Sequence, residues 1–278
     1  PGVLAFSGAY HGLSYGPLAA LGLRESYRAP FAAQLNPSVR FLPYPVDDDA
    51  LDETLERLRL ELARGDVGAV LVEPVLGRGG CVVPPDAFLP ELAARCERAS
   101  ALLVADEIWT GLGRTGSWLR SASVGVAADL ICLGKGLGGG LPISACVGRR
   151  EVMAAWSQEA EVVHTSTFAG APLACATAIA TLDTLSREHL IQRSQDVGAR
   201  FVERLRRAGA TARGAGLMVG IELGGRAGAA VDVGRKLLGA GFLTSTGGGA
   251  RDALVLTPPL TIAETLLDAF AQKLARCL

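Results

Sequence analysis

Three apolar runs in the first half of the chain each end on a residue able to do acid–base chemistry. "VLVEP" leaves Glu73 at its end, "LLVADE" leaves Asp106, and "LICLGK" leaves Lys135 one glycine beyond. If the runs are neighbouring parallel strands, all three side chains meet at the carboxyl edge of one sheet, where ligands of such sheets bind. Lys135 stands out by type as well as place. Of the 27 basic residues only Lys135, Lys236 and Lys273 are lysines. Genomic base composition accounts for the general preference for Arg, so it is the exception that carries information. A guanidinium stays protonated and is a poor nucleophile, whereas an ammonium in a crowded site can lose its proton and attack a carbonyl. A lysine able to form a Schiff base, with an acid able to keep a pyridine nitrogen protonated, is the minimum set for pyridoxal 5'-phosphate (PLP). For Asp106 taken alone, capping the turn after its strand is the commoner role. The three residues together favour the chemical one.

The elements that must position them can be read from periodicity. Short apolar runs at 3–6, 39–44, 68–73, 101–106, 130–133 and 144–148 predict strands. Between them, residues 50–63 place Leu51, Leu55, Leu58 and Leu62 on one helical face. Residues 86–99 begin at Asp86 after two prolines and pair Glu91 with Arg95 at i, i+4. Apolar strands separated by helices imply a mostly parallel sheet covered on both faces, an α/β large domain. A long helical stretch from 171 to 208 follows. Beyond it "RGAGLMVGIEL", "GFLTST" and "ALVLTPPLTI", with helices at 229–239 and 262–275, predict a smaller C-terminal α/β domain. The expected boundary puts residues 1–185 in the large domain and 186–278 in the small one.

A formal charge of -1 over 278 residues gives no general electrostatic reason to bind nucleic acid or an acidic membrane. The six cysteines show neither a CxxC pair nor metal-ligand spacing, and several lie in apolar runs. They read as reduced, buried thiols of a cytoplasmic protein. The chain opens on Pro1 directly before a strand, as a piece of a longer protein would. Two segments match G-x-G-x-x-G, at Gly134/Gly136/Gly139 and at Gly111/Gly113/Gly116. The first lacks the helix that a dinucleotide site requires, and the second lacks a ribose-binding acid at the expected distance. A Walker loop is excluded because Lys135 is followed by Gly.

Seven stretches, "FSGAYHG", "LVEPVLGRGG", "VADEIWTGLGRTG", "DLICLGKGLGGGLP", "HTSTFAGAPLACATA", "RGAGLMVGIEL" and "LTPPLTI", occur in the order and spacing of one family. On them the chain resembles the class III PLP-dependent aminotransferases of fold type I along essentially its whole length. The resemblance implies that Lys135 carries the cofactor as a Schiff base and that Asp106 pairs with its pyridine nitrogen. It implies that Ile108 packs on one face of the ring, that Tyr10 stacks on the other, and that Glu73 sits close behind them. Thr167 would reach the phosphate of a neighbouring subunit's cofactor, so the expected assembly is a homodimer with shared active sites. His11 and His164 read as turn residues without partners. A glycine-rich phosphate loop that the family carries upstream of "FSGAYHG" is not in this sequence.

Some positions depart from the family. Trp109 stands where many members have Gln, and Leu76 and Arg78 replace the Gln and Glu of "EPxQGEGG". In several ω-aminotransferases that Glu pairs with an Arg that holds the α-carboxylate of glutamate, and Val255 occupies the Arg position here. Both halves of the ion pair are replaced together. The implied activity is transfer of an amino group from an amine or amino acid to an oxo acid by a ping-pong cycle. Two alternatives use the same residues or none of their chemistry: a racemase, epimerase or aminomutase, and an inactive fragment that retains the fold.

Overall fold

The protein is described here from a computed structural model, which covers residues 1–158, 165–224 and 226–278. Six apolar runs form strands: Gly2–Phe6 (β1), Val39–Leu42 (β2), Val67–Val72 (β3), Leu102–Asp106 (β4), Leu130–Leu133 (β5) and Ala145–Gly148 (β6). They make one sheet in the order β2-β1-β3-β4-β5-β6. The first five strands are parallel and β6 closes the edge antiparallel. Strands buried on both faces have no polar face to alternate, and this is why they read as continuous apolar runs.

The helix Asp48–Leu62 (α1) starts where the Asp47 carboxylate accepts the Ala50 N–H at 2.9 Å, with Asp48 and Asp49 in its first turn. Its buried face is Leu51, Leu55 and Leu58, with Leu62 packed at the margin. The next long helix, Phe88–Arg98 (α2), begins two residues later than its sequence suggests. Asp86 is drawn off by Arg120 at 3.1 Å, while the Glu91–Arg95 pair forms at 3.3 Å. Phe6, Tyr44 and Phe88 meet edge to face between sheet and helices, with ring centroids 5.3 to 5.8 Å apart. The Tyr44 hydroxyl donates to the Glu73 carbonyl at 3.0 Å, which fixes the end of β3.

The stretch expected as one long helix is two: Pro172–Arg187 (α3) and Leu190–Arg207 (α4). His189 breaks it with a left-handed φ of 50°. The two halves serve different layers. α3 packs on the turn Lys135–Gly138, and α4 packs on the second sheet. That sheet is antiparallel, in the order β7-β8-β10-β9, from Thr211–Ala215 (β7), Met218–Glu222 (β8), Ser245–Gly247 (β9) and Ala253–Leu256 (β10). The strand expected over "GFLTST" begins only at Ser245. Helices Ala229–Gly239 (α5) and Glu264–Ala275 (α6) complete this part.

The loop 113–116 joins the two layers. Arg114 donates from one guanidinium nitrogen to the carbonyls of Leu217 at 3.0 Å and Pro258 at 2.6 Å. Ser194 on α4 donates to the Arg114 carbonyl and accepts the Leu217 N–H. Gly198 permits this approach, because a Cβ there would lie 1.9 Å from the Gly216 carbonyl oxygen. Among the described residues, no helix is long and apolar enough to cross a membrane.

Candidate active site

β3, β4 and β5 lie side by side, so Glu73, Asp106 and Lys135 emerge at one edge of the sheet. Asp106 is buried, and each of its oxygens has a partner. Oδ1 accepts the Ile108 N–H at 3.1 Å and Oδ2 lies 2.7 Å from His11 Nδ1. His11 is therefore not the partnerless turn residue its sequence suggests. Its Nδ1 faces a carboxylate and carries the proton, and its Nε2 is buried with no partner among the described residues. The pair links positions 95 apart, and no local pattern announces it.

Glu73 is buried beside them. Its Oε1 accepts the Tyr10 N–H at 2.6 Å and its Oε2 the Gly77 N–H at 3.0 Å. Burial raises its pKa from the ordinary 4.5 to about 7, and the Asp106 charge adds to the rise. His11 and the two backbone donors pull the other way. Glu73 thus sets the backbone of both the Tyr10–His11 turn and the turn at 77.

Lys135 follows Gly134 with a positive φ of 43° and opens the tight turn Lys135–Gly138. The residue is exposed, with protein packed along part of its side chain. That crowding lowers the pKa of its ammonium, Arg78 lowers it further, and Asp106 and Glu73 oppose the change. Nζ lies 4.9 Å from the centre of the Trp109 ring. Trp109 fits because position 77 is glycine: a Cβ there would fall 2.3 Å from the indole. The indole packs against the buried group Val75, Cys81, Met218 and Val255. Two of the departures from the family pattern, Trp109 and Val255, therefore belong to one apolar wall. Ile108 stands next to the lysine's backbone, 3.4 Å from where a Gly134 Cβ would be.

The Arg78 guanidinium lies over the Tyr10 ring, 4.9 Å from its centre, and Tyr27 meets that ring edge-on at 6.5 Å. The face of Tyr10 under Arg78 is therefore occupied by a cation. Thr167 is exposed, in the turn that leads into α3, and is not part of the buried cluster. His164 lies outside the described residues. Glu107, not singled out from the sequence, is buried next to Asp106. It accepts from the Thr110 hydroxyl and from the Ser121 N–H and hydroxyl at 2.7 and 2.8 Å. Its oxygens are used up in folding the loop 107–121. The thiols also differ from their expected state: Cys81, Cys96 and Cys277 are buried, but Cys132 and Cys175 are half-buried and Cys146 is exposed.

The sequence matches the family of aminotransferase class-III over residues 1–278, and the chain belongs to that family. It is 34% identical over 265 residues to the acetylornithine aminotransferase of Methanosarcina mazei, covering 94% of this chain and 62% of that one. It is 38% identical to the acetylornithine aminotransferase of Streptomyces clavuligerus, covering 98% of this chain and 64% of the relative. The chain thus spans somewhat under two thirds of these relatives. Among solved structures it resembles a PLP-bound amine transaminase from an uncultivated Pseudomonas species, at a TM-score of 0.90 and 28% identity, covering 100% of this chain and 70% of that one. The ornithine aminotransferase of Toxoplasma gondii is similar at a TM-score of 0.88 and 31% identity, covering 99% and 63%.

The raised Glu73 pKa makes stability depend on pH. The folded protein binds this proton more tightly than the unfolded chain does. The contribution is therefore fully present below about pH 4.5 and is lost as pH rises through about 7. It amounts to roughly 3 kcal/mol across that window. Glu73→Gln imitates the protonated acid and should flatten this part of the pH profile in denaturant unfolding. An unchanged slope would show that Glu73 is ionised throughout.

Proposed function

We propose that this chain is the catalytic part of a PLP-dependent aminotransferase. The observation that carries the reading is the meeting of Lys135, with its lowered ammonium pKa, and the buried Asp106 at the ends of neighbouring strands. These residues suit the cofactor. Asp106 is a carboxyl group fixed in position to pair with a pyridine nitrogen, His11 Nε2 is a buried polar atom still in need of a partner, and Ile108 and Trp109 supply apolar walls. When bound, PLP supplies an electron-accepting ring conjugated to the substrate carbon that loses its proton.

The chain's own residues supply the rest. Lys135 would hold the cofactor through its Nζ and give it up to a substrate amine. Its Nζ, with a pKa below the usual lysine value, would serve as the base that takes the substrate proton and as the acid that gives it back. Asp106 would pair with the pyridine nitrogen, and His11 with the Ile108 N–H holds its carboxyl group in place. Trp109 lies beside the Lys135 ammonium and offers one N–H donor but no acceptor. Relatives named acetylornithine, ornithine and 4-aminobutyrate aminotransferases support amino donors and an oxo acid acceptor as the substrate class. Val255, buried in the apolar wall, cannot grip a carboxylate, which favours amines without an α-carboxylate or acceptors held by Arg78.

In single-turnover assays of the full-length protein, Lys135→Arg keeps the charge and should abolish amino transfer. Asp106→Asn should weaken cofactor binding by about 1.5–3 kcal/mol and slow proton transfer further. Turnover like the parent's in either variant contradicts the assignment, and a strong preference for glutamate and 2-oxoglutarate that survives Arg78→Ala contradicts the proposed substrate preference.

We also place Thr167 across a subunit boundary, on its exposed turn. Mixing a Lys135→Ala protein with a Thr167→Ala protein should form heterodimers in which one site carries both defects and the other neither. Partial return of activity is expected. Heterodimers that stay inactive count against a shared site.

A further inference from the structure

Two cations stand beyond the ends of β3 and β5, and each lies over an aromatic ring. The Arg78 guanidinium is 4.9 Å from the centre of Tyr10, and Lys135 Nζ is 4.9 Å from the centre of Trp109. Both distances fall within the roughly 6 Å over which the negative face of a ring attracts a cation. Arg78 acts on Lys135 as a like charge, and the two repelling groups occupy separate rings. One carboxyl group ties the two turns together. Glu73 accepts the Tyr10 N–H with one oxygen and the Gly77 N–H with the other. A Cβ at Gly77 would fall 2.3 Å from the indole, so the turn at 77 and the Trp109 ring are fitted to each other.

The indole is also supported from behind, where it packs against Val75, Cys81, Met218 and Val255. Lys135 begins a tight turn with a positive φ of 43°, so the backbone places its Cα and the side-chain torsions alone place Nζ. A packed ring beside a flexible four-carbon arm decides where the amine rests. Burial lowers the Lys135 pKa and Arg78 adds to the fall, while Asp106 and Glu73 oppose it. Helix α3 meets the end of the turn, at Gly139, with the uncharged Thr181. The indole enters this balance in two opposed ways. Its volume displaces water, which disfavours the ammonium, and its face attracts the ammonium.

We propose that the Trp109 indole is the seat of the Lys135 ammonium, a positioning residue that holds the charged Nζ on its ring face while the amine is free. Trp109 stands where many members of the family have Gln, so the seat belongs to this chain's own sequence. Its use in amino transfer rests on Lys135 being the reactive amine, as proposed above. The contact between ring and ammonium does not.

The test separates the face of the ring from its volume. The full-length protein is made with tryptophan, or with mono-, di- or tetrafluorinated tryptophan, at position 109 alone. Added fluorine weakens the negative face and leaves the shape nearly unchanged. The pH dependence of Lys135 acylation is followed by peptide mass in the cofactor-free protein, with Lys236 and Lys273, the other lysines of the sequence, as internal references. Lys135 should lose proton affinity stepwise with fluorination, by roughly two- to fivefold across the series. The two reference lysines should not move. Trp109→Phe, which keeps a ring face, should retain a higher Lys135 pKa than Trp109→Leu, which keeps only apolar volume. A Lys135 pKa that stays constant across the fluorinated series would overturn the proposal, as would Phe and Leu variants that titrate alike. These readings are taken without cofactor, so they are independent of the borohydride label that tests the functional reading.

Discussion

Two carboxylates, Glu73 and Asp106, are buried together at the ends of adjacent parallel strands, and both cannot be ionised there without help. Desolvation raises the Glu73 pKa, and the Asp106 carboxylate beside it adds to the rise. The structure resolves this by giving the two acids different partners. Asp106 has the imidazole N–H of His11 and the Ile108 N–H. Glu73 has only two backbone donors, and burial drives its pKa to about 7. Glu73 can thereby take up a proton close to neutral pH.

Much of the surrounding chain follows from that arrangement. The segment after β1 must pass over both acids, because Tyr10 serves Glu73 with its backbone while His11 serves Asp106 with its side chain. The turn after β3 must bring the Gly77 N–H to Glu73, and the same glycine leaves room for the Trp109 indole. The indole closes one side of Lys135, and this crowding lowers the pKa of the ammonium despite two nearby acids. A lysine with less hold on its proton is what amino transfer requires. Acid pair, glycine, indole and lysine are therefore linked through a chain of direct contacts.

Residues that sit at the end of a regular element were legible in the sequence. Glu73, Asp106 and Lys135 interrupt apolar runs, and the parallel sheet brings such ends together. Residues whose role depends on a distant partner were not. His11 before a glycine looks like a turn residue, since its partner is 95 positions away. The break between α3 and α4 lies at a histidine, with neither Gly nor Pro to mark it. Trp109 and Val255 could each be recognised as departures from the family pattern, yet only the fold shows that they share one wall.

The central claim is that Lys135, and no other amine, is the group that holds the cofactor in this cleft. The most direct measurement is to load the full-length protein with PLP, reduce with borohydride, and locate the modified residue by peptide mass analysis. The account predicts one cofactor per chain fixed on Lys135. Label on Lys236 or Lys273, or no label after loading, would contradict it.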